Sequence, residues 1–333
     1  MAGALTYPVR RPSWLLTYAG RNITADVSSM VVELSYSDKA ENHSDELEFT
    51  FADRGRKWQG PWFPTRGDTV TAQIGYAGEQ MLNCGTFQVD ELELKGPPDT
   101  FHLKCLAAGI TQSLRTKRSA GYEKQTLLDV ANTVAARQGM TVTGVAENID
   151  VSFDRITQHH ETDLHFLARL AHAHNYEFSV RGKQIIFYSR TALEQMTPVV
   201  IVRRTQVKSF EFKAKTGQIY KTASAGYQNP DQKQLVAAQY SDSEAPTADD
   251  RNVITRIEKP EAATLKAHGA LHDKNKDQIT GSIEAEGAVV LVAGVNITTQ
   301  GFGAFDGKWH VMSSRHKVER SSGYTTGIEA RRL

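Results

Sequence analysis

Cysteine is nearly absent from this chain: there are two in 333 residues, Cys84 and Cys105. A secreted disulfide framework carries more cysteines in a shorter chain, so this usage suits a reducing compartment. Charge of one sign is not in excess either. Lys plus Arg is 39 and Asp plus Glu is 38, a net charge of +1, which leaves no electrostatic case for a nucleic-acid binder. The one short basic run, Arg115, Lys117 and Arg118, reads as a solvated loop. No apolar run approaches the roughly 20 residues that a membrane-spanning helix needs, and Met1 to Pro12 lacks the apolar stretch of a signal peptide. The chain is therefore expected to fold in the cytoplasm, with any later export as part of an assembly.

Signatures of chemistry are missing as well. There is no Gly-x-Ser-x-Gly elbow, no phosphate-binding Gly-x-x-x-x-Gly-Lys-Ser/Thr loop, no His-Glu-x-x-His and no Cys-x-x-Cys. Of 11 histidines, five fall at His159, His160, His165, His172 and His174. His165 and His172 share a helix face, and two imidazoles need a further ligand from elsewhere to hold a metal. Cys84 precedes Gly85 within a strand, away from the helix N-terminus or cation that activates a thiolate. No catalytic residue, cofactor site or metal ligand is expected, and the chain reads as a non-enzyme.

What the sequence does contain is a β-hairpin unit written twice. The first copy holds Gly75-Tyr76-Ala77-Gly78, then Gly85-Thr86-Phe87-Gln88-Val89, a polar turn from Gly96 to Asp99, and Thr100-Phe101-His102-Leu103. The second holds Gly301-Phe302-Gly303, then Gly307-Lys308-Trp309-His310-Val311, a turn from Ser321 to Gly323, and Thr325-Thr326-Gly327-Ile328-Glu329. Phe87 and Val89 in one, Trp309 and Val311 in the other, are two apart and face one side of a strand. A chain with two similar β-modules presents two equivalent surfaces, and three such chains would make a six-fold ring.

The rest of the pattern frames these copies. From Trp14 to Ala108 it is strand-like: Ile23–Val27, Val31–Tyr36, the alternating Glu46–Phe51, and Thr69–Tyr76. Between Tyr122 and Arg190 the period changes. Thr126 caps a helix from Leu127 to Gln138, stopped by Gly139, and Thr162 caps a second that ends near Asn175. A hairpin follows, Tyr176–Val180 and Gln184–Tyr188 about Arg181-Gly182-Lys183. Strands resume at Val199–Val202 and Val207–Phe212, an acidic exposed loop spans Ser241 to Asp250, and a helix runs from about Glu261 to Lys276. The expected fold is β-rich α+β: two tube-like antiparallel β-barrel modules, residues 1–112 and 196–333, with a small α+β domain inserted at 113–195. Aromatics in the loop Gly55–Pro64, namely Trp58, Trp62 and Phe63, are the better interface candidates. Phe302, Phe305 and Trp309 are candidates that strand alternation assigns to the core.

The stretch His160-Glu161-Thr162-Asp163-Leu164-His165-Phe166-Leu167-Ala168-Arg169-Leu170-Ala171, followed by Tyr176-Glu177-Phe178, resembles the Glu-Thr-Asp-x-x-Phe-Leu-x-Arg-Leu-Ala segment of the phage late-control D family. The same segment occurs in the hub part of the type VI secretion spike proteins called VgrG. Gly301 to Val311, with His316 and Thr325-Thr326, is similar to that family's closing segment. The resemblance implies a structural baseplate hub of a contractile tail, located in the virion tail or a phage-like bacteriocin particle. It implies a homotrimer whose six modules form a pseudo-six-fold ring on the hexameric tail tube or its initiator, with a trimeric central spike on the opposite face. Other baseplate proteins would surround it, and a tape measure protein or DNA would pass through the lumen. Because Leu333 follows directly on the second hairpin, the spike is expected to be a separate polypeptide, as in a phage or an R-type pyocin. A tail-tip cell-wall hydrolase, with convergent carboxylates, and a glycan-binding tail protein, with loop aromatics as platforms, are the rival classes.

Overall fold

The computed structural model describes residues 10–40, 45–107, 116–143, 152–174, 176–181, 183–229, 234–243, 245, 247–253 and 260–333. The expected 112/113 boundary, Arg115 of the basic run, Asn175 and Gly182 lie outside the described residues.

The first part contains β1 (Pro12–Tyr18), β2 (Arg21–Asn22), β3 (Val31–Lys39), β4 (Glu46–Ala52), β5 (Thr69–Tyr76), β6 (Leu82–Lys95) and β7 (Thr100–Ala107). Strict alternation in β4 buries Leu47, Phe49 and Phe51 and leaves Glu46, Glu48 and Thr50 half-buried on the other face. The inner face joins Leu16, Leu34, Phe87, Phe101 and Leu103 in one core. The strand expected at Ile23–Val27 is instead a short helix, Thr24–Val27. Asn22 Oδ1 accepts from the Thr24 N–H at 2.9 Å and Thr24 Oγ1 accepts from the Leu16 N–H at 2.8 Å. These side-chain bonds turn the backbone back over β1 before a ladder can form.

The middle part holds β8 (Lys117–Thr126), a helix Leu127–Arg137, β9 (Thr141–Thr143), β10 (Ser152–Thr162), a helix Asp163–Ala173, β11 (Tyr176–Arg181), β12 (Gln184–Ser189) and a helix Arg190–Gln195. Thr126 and Asp129 make a reciprocal capping box, and the Thr162 side chain accepts from the His165 N–H. The apolar stripes of the two longer helices meet β11 and β12 in a core of their own, around Val130, Val134, Phe166, Leu170 and Phe187.

The last part contains β13 (Val200–Arg203), β14 (Val207–Ala214), β15 (Thr222–Asn229), β16 (Gln234–Ser241), β17 (Asp250–Val253), a helix Pro260–Asn275, β18 (Ile279–Glu286), β19 (Asn296–Gln300), β20 (Gly307–Glu319) and β21 (Gly323–Arg332). The expected acidic loop lies between β16 and β17. Two of its described residues are anchored: Asp242 accepts from Asn275 Nδ2 at 2.8 Å, and Thr247 Oγ1 donates to the Ile219 carbonyl at 2.6 Å.

Strand order exposes a duplication deeper than the hairpin. Six strands of the first part lie in space as β3-β4-β7-β6-β5-β1, and six of the last part as β14-β18-β21-β20-β19-β13. Each series takes its strands in the same chain order. The bulges coincide too: one between Val31 and Glu33 answers to one between Val207 and Ser209, and Val89/Glu91 answers to Val311/Ser313. One pairing differs, since β1 is antiparallel to β5 whereas β13 is parallel to β19. The halves are fused, because Ser313–Glu319 of β20 pair with Lys39–Glu33 of β3. The result is a continuous 13-stranded sheet, and no pairing among the described residues closes either half on itself.

Candidate assembly surfaces

The aromatic loop divides by burial. Trp58, only 5% exposed, stacks on Phe51 at 4.2 Å and Phe101 at 5.3 Å between ring centroids. Its backbone N–H donates to Asp53 Oδ1 at 3.2 Å, so it completes this chain's own core. Trp62 is half-buried, edge-on to Trp58 at 5.8 Å, with the Lys57 ammonium 4.6 Å from its ring. Phe63, 59% exposed, is the member of the trio that faces outward. Together with Tyr18, Ile23 and Val70 they line a groove of about 530 Å³.

The second aromatic group lies in the other core. Trp309 and Val311 are fully buried, Phe302 is buried and Phe305 half-buried. Phe212 binds the group, stacking on Phe305 and standing edge-on to Phe302, both at 5.2 Å. Asp306 fixes the preceding turn by accepting from the Gly301 and Phe302 N–H groups at 3.1 and 2.7 Å. Gly301 and Gly307 both have positive φ there, 91° and 138°, which is why glycine recurs in this turn. In the first copy Phe87 and Val89 are buried, as are Gly75 and Tyr76, and Gly85 has φ 99°.

The family-like motif builds a helix junction. Buried Asp163 accepts from Gln138 and Gln158 at 3.0 and 2.9 Å, with the guanidinium groups of Arg118 and Arg137 at 3.9 and 4.0 Å. Glu161 takes a bidentate contact from Arg169, 2.6 and 3.2 Å, and a bond from His165 at 2.9 Å. Those partners, the Arg169 bond first, hold its carboxyl below the usual range. Phe166, Leu167 and Leu170 are buried and Leu164 is half-buried. Glu161, Thr162, Asp163 and Arg169 thus work on the fold of the middle part. No group of three or more His, Cys, Asp or Glu among the described residues is placed to hold a metal ion. Both cysteines are free and buried, and burial pushes both thiols up, Cys105 to about 12.

Two further polar sites have no local sequence signal. Along the seam between the halves, buried Asp38 accepts from the Ala293 N–H at 3.0 Å, and Arg315 donates to Ser35 at 2.8 Å. His316 is fully buried there, with Nδ1 2.8 Å from the Tyr324 hydroxyl and Nε2 3.0 Å from the Leu291 carbonyl. Tyr324 itself belongs to the first half's core. Tyr76 donates to Glu286 at 3.1 Å, and burial, aided by that carboxylate, pushes its hydroxyl up to about 12. At the other site, Glu194 accepts from Arg331 at 3.0 Å and meets His272 Nε2 at 2.9 Å. Burial raises the Glu194 carboxyl, but His272 and Arg331 outweigh it and bring it to about 2.

The sheet also ends in unpaired edges. On the side of β20 away from β21, Gly307–His310 pair with β19 and Ser313–Glu319 with β3. In β6 the equivalent side pairs with β5 only as far as Gln88, so Glu91–Lys95 have no strand beside them among the described residues. The outer side of β14 is likewise unpaired. Leu94, 50% exposed, and Phe210, 39% exposed, lie on these two edges.

This fold is shared with solved phage tail proteins. The tail protein from Neisseria meningitidis MC58 superposes with a TM-score of 0.73 over 96% of both chains at 13% identity. The E. coli c3393 protein, a component of the type VI secretion system, gives 0.57 over 91% of this chain and 74% of that one at 14% identity. At such identities the likeness is one of fold. The profile of the phage tail baseplate hub (GPD) family matches residues 93–322. The probable baseplate hub protein of Escherichia phage 186 is 29% identical over 177 residues, 53% of this chain and 44% of that protein. That of Escherichia phage P2 is 26% identical over 212 residues, 62% and 54%. The matched region spans about half the length of these relatives. The chain belongs to the phage tail baseplate hub family.

Proposed function

We propose that this protein is the structural hub of a contractile-tail baseplate, acting as a homotrimer that adapts a hexameric tail tube to a trimeric central spike. The observation that carries the reading is the duplicated strand order. Two equivalent modules per chain give six per trimer, and six modules in a closed ring match a six-fold partner on one face while keeping three-fold symmetry overall. Each half completes a tube-like barrel module when neighbours cover its open edges. The middle part, residues 113–195, provides the spike-side face. The role is mechanical and involves no chemical step. Phe63 and the groove beside it are exposed to other baseplate proteins.

The outward face of the continuous sheet suits the lumen. Arg315 and Lys317 of β20 and Lys104 of β7 reach Glu33 and Glu48 at 3.2 to 3.9 Å. Such half-buried, solvent-facing pairs add modest stability, and they cancel fixed charge, so a tape measure protein or DNA passes without being held. Light scattering across a concentration range tests the reading, with a mass of three times 36.9 kDa expected. A chain that stays monomeric even with the spike added refutes it. Cleavage of peptidoglycan or measurable glycan affinity would favour the rival classes.

A further inference from the structure

Resting on that ring reading, we infer which strands join one copy to the next and in what register: β14 of one chain adds to Glu91–Lys95 of β6 in its neighbour. The chain already contains this contact once, as the internal ladder between β3 and β20. Strand order and coincident bulges make β14 the counterpart of β3 and β6 the counterpart of β20. In the internal ladder both edges are filled. Their counterparts are the two edges left without a strand among the described residues.

Register follows from the bulges. Ser313 answers to Glu91, and Glu33 answers to Ser209. The internal pairs Ser313↔Lys39, Arg315↔Ser37 and Lys317↔Ser35 then become Glu91↔Lys215, Glu93↔Lys213 and Lys95↔Glu211 between copies. All three are opposite-charge pairs on one face, in a register that the bulges alone set. On the other face His316↔Tyr36 becomes Leu94↔Phe212, with Phe210 diagonal to Leu94, so two exposed apolar side chains are covered together. Within one chain Lys95 pairs with Glu93 at 2.9 Å and Lys213 with Glu211 at 3.0 Å, each along its own strand. The contact is head-to-tail, which closes rings or grows filaments. The occupant of each edge is a second copy of this chain, because the internal ladder shows the equivalent edges, those of β3 and β20, paired with each other.

Paired cysteines test the register in the full chain, where Cys84 and Cys105 are buried. Mild oxidation of Glu93→Cys/Lys213→Cys is expected to give a covalent ladder ending at three chains, while either single variant gives none. Glu93→Lys is expected to raise the concentration needed for assembly about five-fold per interface, and adding Lys213→Glu to reverse this. A trimer by light scattering without the cross-link overturns the pairing and leaves the ring reading intact. More cross-link in the staggered Glu93→Cys/Glu211→Cys variant overturns the register. A chain that stays monomeric with no cross-link even when the spike is added overturns both.

Discussion

Acidification from pH 7.5 to 5 is expected to weaken the seam between the two halves through His316. A carbonyl only accepts, so Nε2 carries the proton donated to Leu291, and Nδ1 accepts from the Tyr324 or Thr326 hydroxyl at 2.8 or 3.2 Å. The ring is therefore neutral, and burial lowers its pKa from 6.5 to about 4. A base with a depressed folded pKa contributes its full stability above the unfolded value. That contribution is lost as pH falls from 6.5 towards 4, because the unfolded chain takes up the proton first. Across the whole window the loss is about 3 kcal/mol, and by pH 5 it is about 2 kcal/mol. The assay is urea denaturation of wild type and His316→Gln at several pH values. Gln keeps an N–H donor but cannot ionise, so its deficit should shrink by about 2 kcal/mol between pH 7.5 and 5. A constant difference across that range, or an NMR titration placing His316 near its ordinary value, refutes the reasoning.

Two substitutions separate core from surface in the aromatic loop and test the charged junction. Trp58→Ala should cost about 3 to 5 kcal/mol in denaturant, since it empties the stack between Phe51 and Phe101, whereas Phe63→Ala should change monomer stability by less than about 0.5 kcal/mol. Glu194→Gln takes away the carboxylate charge to which Arg331, 2% exposed, donates at 3.0 Å, and should cost about 3 kcal/mol. The Glu194 contribution is in place above pH 4.5 and lost as pH falls towards 2, so the wild-type advantage over Glu194→Gln should vanish in acid melts.

Local chemistry was legible along the chain. Alternation in Glu46–Phe51 marks its buried face, and Thr126 and Thr162 mark two helix starts through bonds to N–H groups three residues on. The spacing of Gly85, Phe87 and Val89 against Gly307, Trp309 and Val311 locates equivalent positions about the same bulge. Asn22 and Thr24 were the local exception, because their competition with the ladder depends on Leu16 eight residues back. Aromatic character in the 55–64 loop did not distinguish Trp58 from Phe63. Burial there is set by Phe51 and Phe101, which arrive from separate strands.

The sequence by itself determined the alternating strands, the two capped helices of the middle part, the duplicated hairpin and the family, because periodicity, caps and motif spacing are relations between near neighbours. Only the tertiary structure decided that the halves share one sheet, which edges remain open, and that Glu194, His272 and Arg331 meet. The reason is that every alternating strand offers the same backbone donors and acceptors along its edges. Which edge meets which, as β20 meets β3 across some 280 residues, depends on the whole chain folding at once.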